Sequence, residues 1–319
     1  MNKQTMQHRR NVLKGMTLGS MLGLVSGSML GLVSMPGFAQ GALHSTPVTD
    51  SITLISGAGA NVVVAVGASG VVVVDGGSES SAPALLAEIN RLSGNKPIVA
   101  LFNTNWRPDK SGLNHLLGPA GTPIIAHENT RLWQTADLYV DWENTTYTPM
   151  EAAAQANQTF YKTGSLDFEG EVIEYGRIKE ANTDGDIYVH FTGADVLVVG
   201  DMLGVDHYLM LDYVTGGWIT GAQRTTEQLL ERAGANTRII AAHGGVVGKA
   251  ALQAQADMLS HAYDQVALAF QNGRSLEEFL ALDPMAPYRA QWGDPTLFVT
   301  LLYRGTWYHV PGRAVRNII

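Results

Sequence analysis

The sequence predicts an α/β fold in which two β-sheets pack face to face and helices cover their outer surfaces. Short apolar segments rich in β-branched residues occur in both halves of the chain, and segments with helical spacing follow each series. Strands followed by helices, with polar loops between them, are typical of packed sheets with outer helices. No linker separates the two halves, so we expect one domain over residues 52–319.

The composition excludes several classes of function. The chain has 319 residues, of which 45% are hydrophobic and 16% charged, enough to bury a sizeable core. The net charge is −8 and no basic cluster occurs in the body of the chain, so we expect no nucleic-acid partner. Cysteine is absent, which excludes disulfides, cysteine nucleophiles and thiolate metal ligands.

Residues 1–39 resemble a twin-arginine signal peptide, and residues 40–51 are predicted to be a linker. Arg9 and Arg10 precede an apolar segment over 16–35, and small residues then favour cleavage after Ala39. The apolar segment contains the sequence GSMLGLVS twice and is long enough that an uncleaved membrane anchor is the alternative. We therefore predict a periplasmic protein that touches the membrane only if this segment is retained.

The first half is predicted to start with an antiparallel meander and to continue with alternating helices and strands. The predicted strands are Ile52–Ile55, Asn61–Val66, Val71–Asp75, 98–102 and Pro123–Ala126, with helices at Pro83–Leu92 and 113–117. Residues 127–165 form an aromatic insertion, for which two interpretations remain open. It is either a lid over a pocket or a helical pair whose rings pack into the core.

The second half is predicted to repeat the pattern of strands followed by helices. The predicted strands are Glu171–Tyr175, Asp186–Phe191, Val196–Gly200 and Arg238–Ala242. The predicted helices are Thr225–Ala233, Lys249–Asn272, Leu276–Leu282 and Thr296–Tyr303.

Polar side chains follow the predicted strand 98–102, where a site is commonly built. The spacing of Asn103, Asn105, Asp109 and Lys110 resembles the H-x-H-x-x-x-D-H signature of the metallo-β-lactamase superfamily. Three further loops, which contain Asn182, Asp201 and His243, resemble the other ligand loops of that family. The resemblance extends from about residue 52 to about residue 303. It implies a four-layer αββα sandwich with two packed mixed sheets and outer helices.

The resemblance also implies two metal positions, and both have lost ligands in this chain. The three histidines of the first position are replaced by Asn103, Asn105 and Asn182. The second position would consist of Asp109, Lys110, His243 and Asp201, with lysine in place of a histidine. An asparagine amide is a hard, neutral donor that Zn²⁺ does not favour.

Lys110 decides the functional interpretation. An ammonium repels a dication nearby, but it also places a positive charge between Asp109 and Asp201. We expect Lys110 to stand in for the cation by pairing with one or both carboxylates. Outside this context, the Asp109–Lys110 pair would be an ordinary surface ion pair. The asparagines would be turn residues, and His243 would be a loop histidine.

Three functions remain open, each with a small molecule as ligand or substrate. The first is a zinc-independent or non-catalytic relative that keeps the pocket for binding. The second is a hydrolase of an ester, lactam or thioester with one divalent metal, zinc among the candidates, held by Asp109, Asp201 and His243. The third is metal-free hydrolysis, in which Lys110 stabilises negative charge and Asp109 or His243 acts as base.

Overall fold

The computed structural model describes residues 41–178 and 180–309, so the predicted signal peptide lies outside the described residues. The strands are β1 His44–Pro47, β2 Ile52–Ser56, β3 Val62–Val66, β4 Val71–Val74, β5 Ile98–Phe102, β6 Ile124–His127, β7 Leu138–Val140, β8 Thr145–Tyr147, β9 Gln158–Phe160, β10 Thr163–Phe168, β11 Glu171–Arg177, β12 Ile187–Phe191, β13 Val196–Gly200 and β14 Arg238–Ala241. The α-helices are α1 Ala82–Ser93, α2 Asn114–Leu117, α3 Glu128–Gln134, α4 Ile219–Arg232, α5 Lys249–Gln271, α6 Leu276–Ala281, α7 Arg289–Trp292 and α8 Thr296–His309. Among the described residues, none of these helices combines the length and apolarity needed to cross a bilayer.

Two mixed sheets form the framework of the fold. The first has seven strands in the order β1-β2-β3-β4-β5-β6-β9. Its first four strands pair antiparallel and the remaining ones run parallel to β4. The second has five strands in the order β10-β11-β12-β13-β14, of which only the last pair is parallel. The antiparallel meander predicted from the sequence is therefore confirmed.

Three apolar layers hold the sheets and helices together. Side chains from both sheets interdigitate in the central layer, among them Val63, Val72, Phe102, Ile173, Val189 and Val198. The outer face of the first sheet packs on α1 and the segment that leads into α2. The outer face of the second sheet packs on α4 and α5. Every residue of β4 and β13 is buried, as expected for strands covered on both faces. The predicted αββα sandwich is confirmed.

Most predicted elements are present, but several boundaries differ. Helix α4 begins six residues before the predicted start, at Ile219, and α8 continues beyond Tyr303 to His309. The segment predicted as a linker contains β1, which pairs with β2 at the edge of the first sheet. Strands β9 and β10 were not predicted.

The aromatic insertion over 127–165 is not a pair of helices. It contains α3, the hairpin of β7 and β8, and strand β9 of the first sheet. Trp133, Trp142 and Tyr147 of the insertion pack in a small apolar cluster around Trp106, whereas Phe160 packs against the central layer. The ring centroids of Trp106 and Tyr147 are 5.1 Å apart in an edge-on arrangement, so the hairpin packs directly against the predicted site loop.

Candidate functional site

The predicted site residues lie in loops at one edge of the two sheets. The segment 103–110 follows β5, Asp201 follows β13 and His243 lies just beyond β14. Strands β4 and β5 run parallel in one sheet, and β13 and β14 run parallel in the other. Because the carboxyl ends of parallel strands lie at the same edge, these loops converge.

Lys110 lies at the centre of this convergence and is fully buried, with 0% of its surface exposed. Its Nζ is 2.8 Å from Asp109 Oδ2 and 3.1 Å from Asp201 Oδ2. Burial alone would lower the pKa of Lys110, but the charges of Asp109, Asp201 and Asp75 outweigh burial and raise it. The ammonium therefore stays protonated and pairs with both carboxylates.

Asp201 is buried, and one of its oxygens has two polar partners. Oδ2 forms an ion pair with the Lys110 ammonium and accepts a hydrogen bond from the Asn105 amide at 2.8 Å. Burial would raise the pKa of Asp201, but Lys110 above all, together with His243 and Asn105, lowers it to about 2. Asp201 is thus a permanent carboxylate at neutral pH.

His243 lies at the rim of this group. Its Nε2 is 3.9 Å from Asp109 Oδ2, and its ring centroid is 5.7 Å from that of His207. Burial and the nearby Lys110 ammonium lower the pKa of His243 to about 4, even though Asp201 and Asp109 act in the opposite direction. The imidazole is therefore neutral at physiological pH.

The three asparagines at the former histidine positions do not share one environment. The Asn103 amide donates to Lys110 O and Asn114 Oδ1, both at 3.1 Å, which ties the loop to α2. Asn105 bridges Asp201 and Asp186. Asn182 donates to Met210 O at 3.1 Å, while its own Oδ1 is buried without a hydrogen-bond partner among the described residues.

Two further buried carboxylates flank the site and were not singled out from the sequence. Asp75 accepts from the backbone N–H and the hydroxyl of Thr104, and Asp186 accepts from the backbone N–H groups of Asn182 and Thr183. Burial raises the pKa of each carboxyl to about 7, although these hydrogen bonds partly counteract it.

Arg107 is a second buried cation that the sequence did not reveal. Its guanidinium binds Glu143 at the turn of the β7–β8 hairpin and lies 3.7 Å from Asp212 Oδ2. Both carboxylates raise the pKa of Arg107 against the opposing effect of burial. The guanidinium also lies over the ring of Trp142 at 5.5 Å. This cluster fastens the hairpin to the site loop.

The donor set does not fit two zinc ions. All three predicted ligands of the first position are amides, and the Asn103 amide is committed to structural hydrogen bonds. In the second position, the Lys110 ammonium already binds Asp109 and Asp201. Within the ranges 41–178 and 180–309, no three His, Cys, Asp or Glu side chains are arranged to hold a metal ion.

The architecture and this loop arrangement define an αββα protein in which several metal-ligand positions carry residues that do not favour zinc. The family model described as the metallo-beta-lactamase superfamily matches residues 56–243, more than half of the 319 residues. The chain therefore belongs to the metallo-beta-lactamase superfamily, as the sequence resemblance predicted. No curated protein matches the chain.

Solved structures with the same fold are metallo-beta-lactamases. The enzyme from Pontibacter korlensis superposes with a TM-score of 0.55 at 17% identity, covering 68% of this chain and 99% of that one. DIM-1 gives a TM-score of 0.54 at 18% identity, with coverage of 69% and 98%. TMB-1 gives 0.55 at 16% identity, with coverage of 69% and 98%. At such identities the likeness establishes the fold alone.

Proposed function

We propose that this chain is a zinc-independent, non-catalytic member of the superfamily that binds a small molecule at the candidate site. In this proposal the Lys110 ammonium takes the place of the second metal ion. The observation that carries it is the pair of contacts from the buried Nζ, 2.8 Å to Asp109 and 3.1 Å to Asp201. A cation held by both carboxylates removes the electrostatic need for a metal.

The chemistry of lysine supports a binding role over hydrolysis. An ammonium is not a Lewis acid, so it cannot coordinate a water molecule and generate hydroxide at neutral pH as a zinc ion does. Lys110 is also fully buried, so its ammonium has no exposed surface that could contact the oxyanion of a bound substrate. This burial argues against metal-free hydrolysis by Lys110.

One observation favours a second candidate, a hydrolase with a single metal held by Asp109, Asp201 and His243. Asp109 Oδ1 is buried and has no hydrogen-bond partner among the described residues, so this oxygen is available as a metal ligand. Asp109 Oδ2 also lies 3.9 Å from His243 Nε2, although in the described ranges the three side chains are not arranged around a common metal position. Metal binding there would require the Lys110 ammonium to leave both carboxylates.

We further propose that the protein acts in the periplasm after export through the twin-arginine pathway. The support is the Arg9-Arg10 pair with the apolar segment and the small residues before position 40. Fractionation of cells that produce the full chain tests this, with an Arg9→Lys, Arg10→Lys variant as the control for the pathway.

Metal analysis of the purified full-length chain tests the central proposal. We expect less than stoichiometric zinc, manganese or iron after growth in metal-supplemented medium. We also expect no chelator-sensitive turnover of lactam, ester or thioester substrates. Stoichiometric, tightly held metal would overturn the proposal in favour of the single-metal hydrolase. Turnover that survives chelation would favour metal-free catalysis.

A further inference from the structure

An open cavity of about 640 Å³ lies apart from the candidate site, and its position does not depend on the proposed function. It is lined by Asp141, Tyr213, Leu276, Tyr303, Arg304 and Trp307. Its volume is within the range of small-molecule sites in proteins, about 300–1,000 Å³.

One wall of the cavity is aromatic. Tyr303 and Trp307 are four residues apart on α8, so their side chains lie on the same face of the helix. Phe270 supports both rings from behind, with centroid distances of 4.8 Å to Tyr303 and 5.9 Å to Trp307. Trp307 is 61% exposed, although large aromatic side chains are usually mostly buried. This wall therefore offers a supported aromatic surface that is accessible to a ligand.

The other end of the cavity carries one negative and one positive group. The Tyr213 hydroxyl donates to the Asp141 carboxylate at 2.7 Å. Arg304 Nη1 lies 3.7 Å from Asp141 Oδ2 and donates to the Tyr213 hydroxyl at 3.4 Å, so the two charged side chains are already partners at this end of the cavity. Both side chains are 43% exposed, so each charge can be approached from the cavity. A carboxylate has about four acceptor positions and a guanidinium has five N–H donors.

We propose that this cavity binds a zwitterionic ligand with an aromatic side chain, namely an aromatic α-amino acid. The ammonium of the ligand pairs with Asp141 and its carboxylate pairs with Arg304. Its ring packs against Trp307 and Tyr303. Each charge of the ligand then meets its opposite, and the aromatic wall removes the apolar part from water.

The charge arrangement separates this class of ligand from its competitors. A simple anion would be attracted by Arg304 but repelled by Asp141, and a simple cation would meet the reverse. A neutral sugar would gain hydrogen bonds but no ionic contact. The zwitterion gains from both side chains, because its own two charges are separated by a distance similar to theirs.

Calorimetric titration of the full-length wild-type protein tests the proposal without any mutation. L-Phenylalanine is the probe, with three analogues that each remove one feature. N-Acetyl-L-phenylalanine lacks the ammonium, L-phenylalanine amide lacks the carboxylate, and L-alanine lacks the ring. We expect saturable binding of L-phenylalanine and at least about fivefold weaker binding of every analogue. No saturable heat at millimolar L-phenylalanine would overturn the proposal.

Matched variants assign the contacts. Asp141→Asn and Arg304→Gln should each weaken L-phenylalanine binding by about fivefold or more. Asp141→Asn should also remove the discrimination against N-acetyl-L-phenylalanine. Asp264→Asn and Arg224→Gln remove the same charges at exposed helical positions and should leave the affinity unchanged. Unchanged affinity in both cavity variants, with thermal midpoints like those of the wild type, would overturn the proposal.

Discussion

Replacement of Lys110 by methionine tests directly whether an internal cation holds the candidate site together. Methionine keeps an unbranched side chain of similar length and removes only the ammonium. In the variant, Asp109 and Asp201 would face each other without the cation that now lies 2.8 and 3.1 Å from them. The free energy of unfolding should therefore fall.

The structure sets the size of this loss. Breaking a buried ion pair by removing one partner costs about 3–5 kcal/mol, because the other charge is left buried and unpaired. The Asp201 side chain is 7% exposed and would bear the full penalty, whereas Asp109 is 30% exposed and can turn towards water. We therefore expect a loss of about 3 kcal/mol at pH 7, at the lower end of that range.

The loss should depend on pH in a defined direction. In the wild type, the pKa of Asp201 is lowered to about 2, with Lys110 the main cause opposing burial. Ionisation of Asp201 therefore stabilises the folded state of the wild type at pH values above the unfolded pKa of about 4. Without the ammonium, burial would raise the folded pKa of Asp201 above its unfolded value. The variant would then lose stability as the pH rises. The difference between the two proteins should be larger at pH 7 than at pH 5.

Urea unfolding followed by circular dichroism, with chelator present, measures this difference. Lys162→Met removes an exposed lysine and should change stability by less than about 0.5 kcal/mol. If Lys110→Met unfolds within about 1 kcal/mol of the wild type at both pH values, Lys110 does not compensate the buried carboxylates.

Three further predictions concern position 110, Arg107 and His127. Lys110→His should give a protein that binds about one zinc ion per chain, because it restores an imidazole beside Asp109, Asp201 and His243; metal analysis after dialysis measures the uptake. Arg107→Met should cost about 3–5 kcal/mol and increase hydrogen exchange over residues 138–147, since Glu143 and Asp212 lose their shared cation. His127→Asn should flatten the pH dependence of stability below pH 6.5. In the wild type, burial lowers the pKa of His127 in the folded state to about 4, below its unfolded value. As the pH falls below 6.5, the unfolded state therefore takes up a proton that the folded state does not. The wild type loses up to about 1.4 kcal/mol of stability per pH unit for this reason.

Each of these predictions has a control and a contradicting outcome. Lys110→Gln removes the charge without adding a ligand and should bind no zinc; equal uptake by both variants would show that the imidazole is irrelevant. Arg224→Met removes an exposed arginine, and a similar loss of stability there would contradict a special role for Arg107. Asparagine at position 127 can still cap α3, so the substitution removes the titrating group and keeps the cap. Identical pH profiles for the wild type and the variant would mean that His127 is not the titrating group.

Strands buried on both faces could be predicted from the sequence, whereas edge strands could not. Strand β13, a continuous apolar run that is buried throughout, was predicted with its observed bounds, and so was β5, whose last three residues are buried. Strand β1 is mostly exposed, and β9 is only half-buried, so neither shows an apolar pattern. Helix α4 begins after Trp218, which forms no side-chain cap, so its start had no signal.

For the candidate site, the spacing in the sequence predicted which residues meet but not every partner. The match to the family signature was enough to bring Asp109, Lys110 and Asp201 together. The partners of Arg107 are 36 and 105 residues further along the chain, at Glu143 and Asp212. Contacts of this kind depend on tertiary packing, and no local pattern records them.

Under the proposed replacement of the metal by Lys110, one positive charge has to balance the carboxylates of the site, where a dication would supply two. Three carboxylates, Asp75, Asp109 and Asp201, act on Lys110, and a fourth, Asp186, is connected to Asp201 through Asn105. Burial raises the pKa of Asp75 and of Asp186 to about 7, so these two carry only part of their negative charge at neutral pH. The other two carboxylates, Asp109 and Asp201, are the ones that the Lys110 ammonium contacts, at 2.8 and 3.1 Å. A cation with a larger charge would lower the pKa of Asp75 and of Asp186, and both carboxyl groups would then lose protons. Zinc uptake by Lys110→His should therefore release more protons than the new imidazole alone supplies.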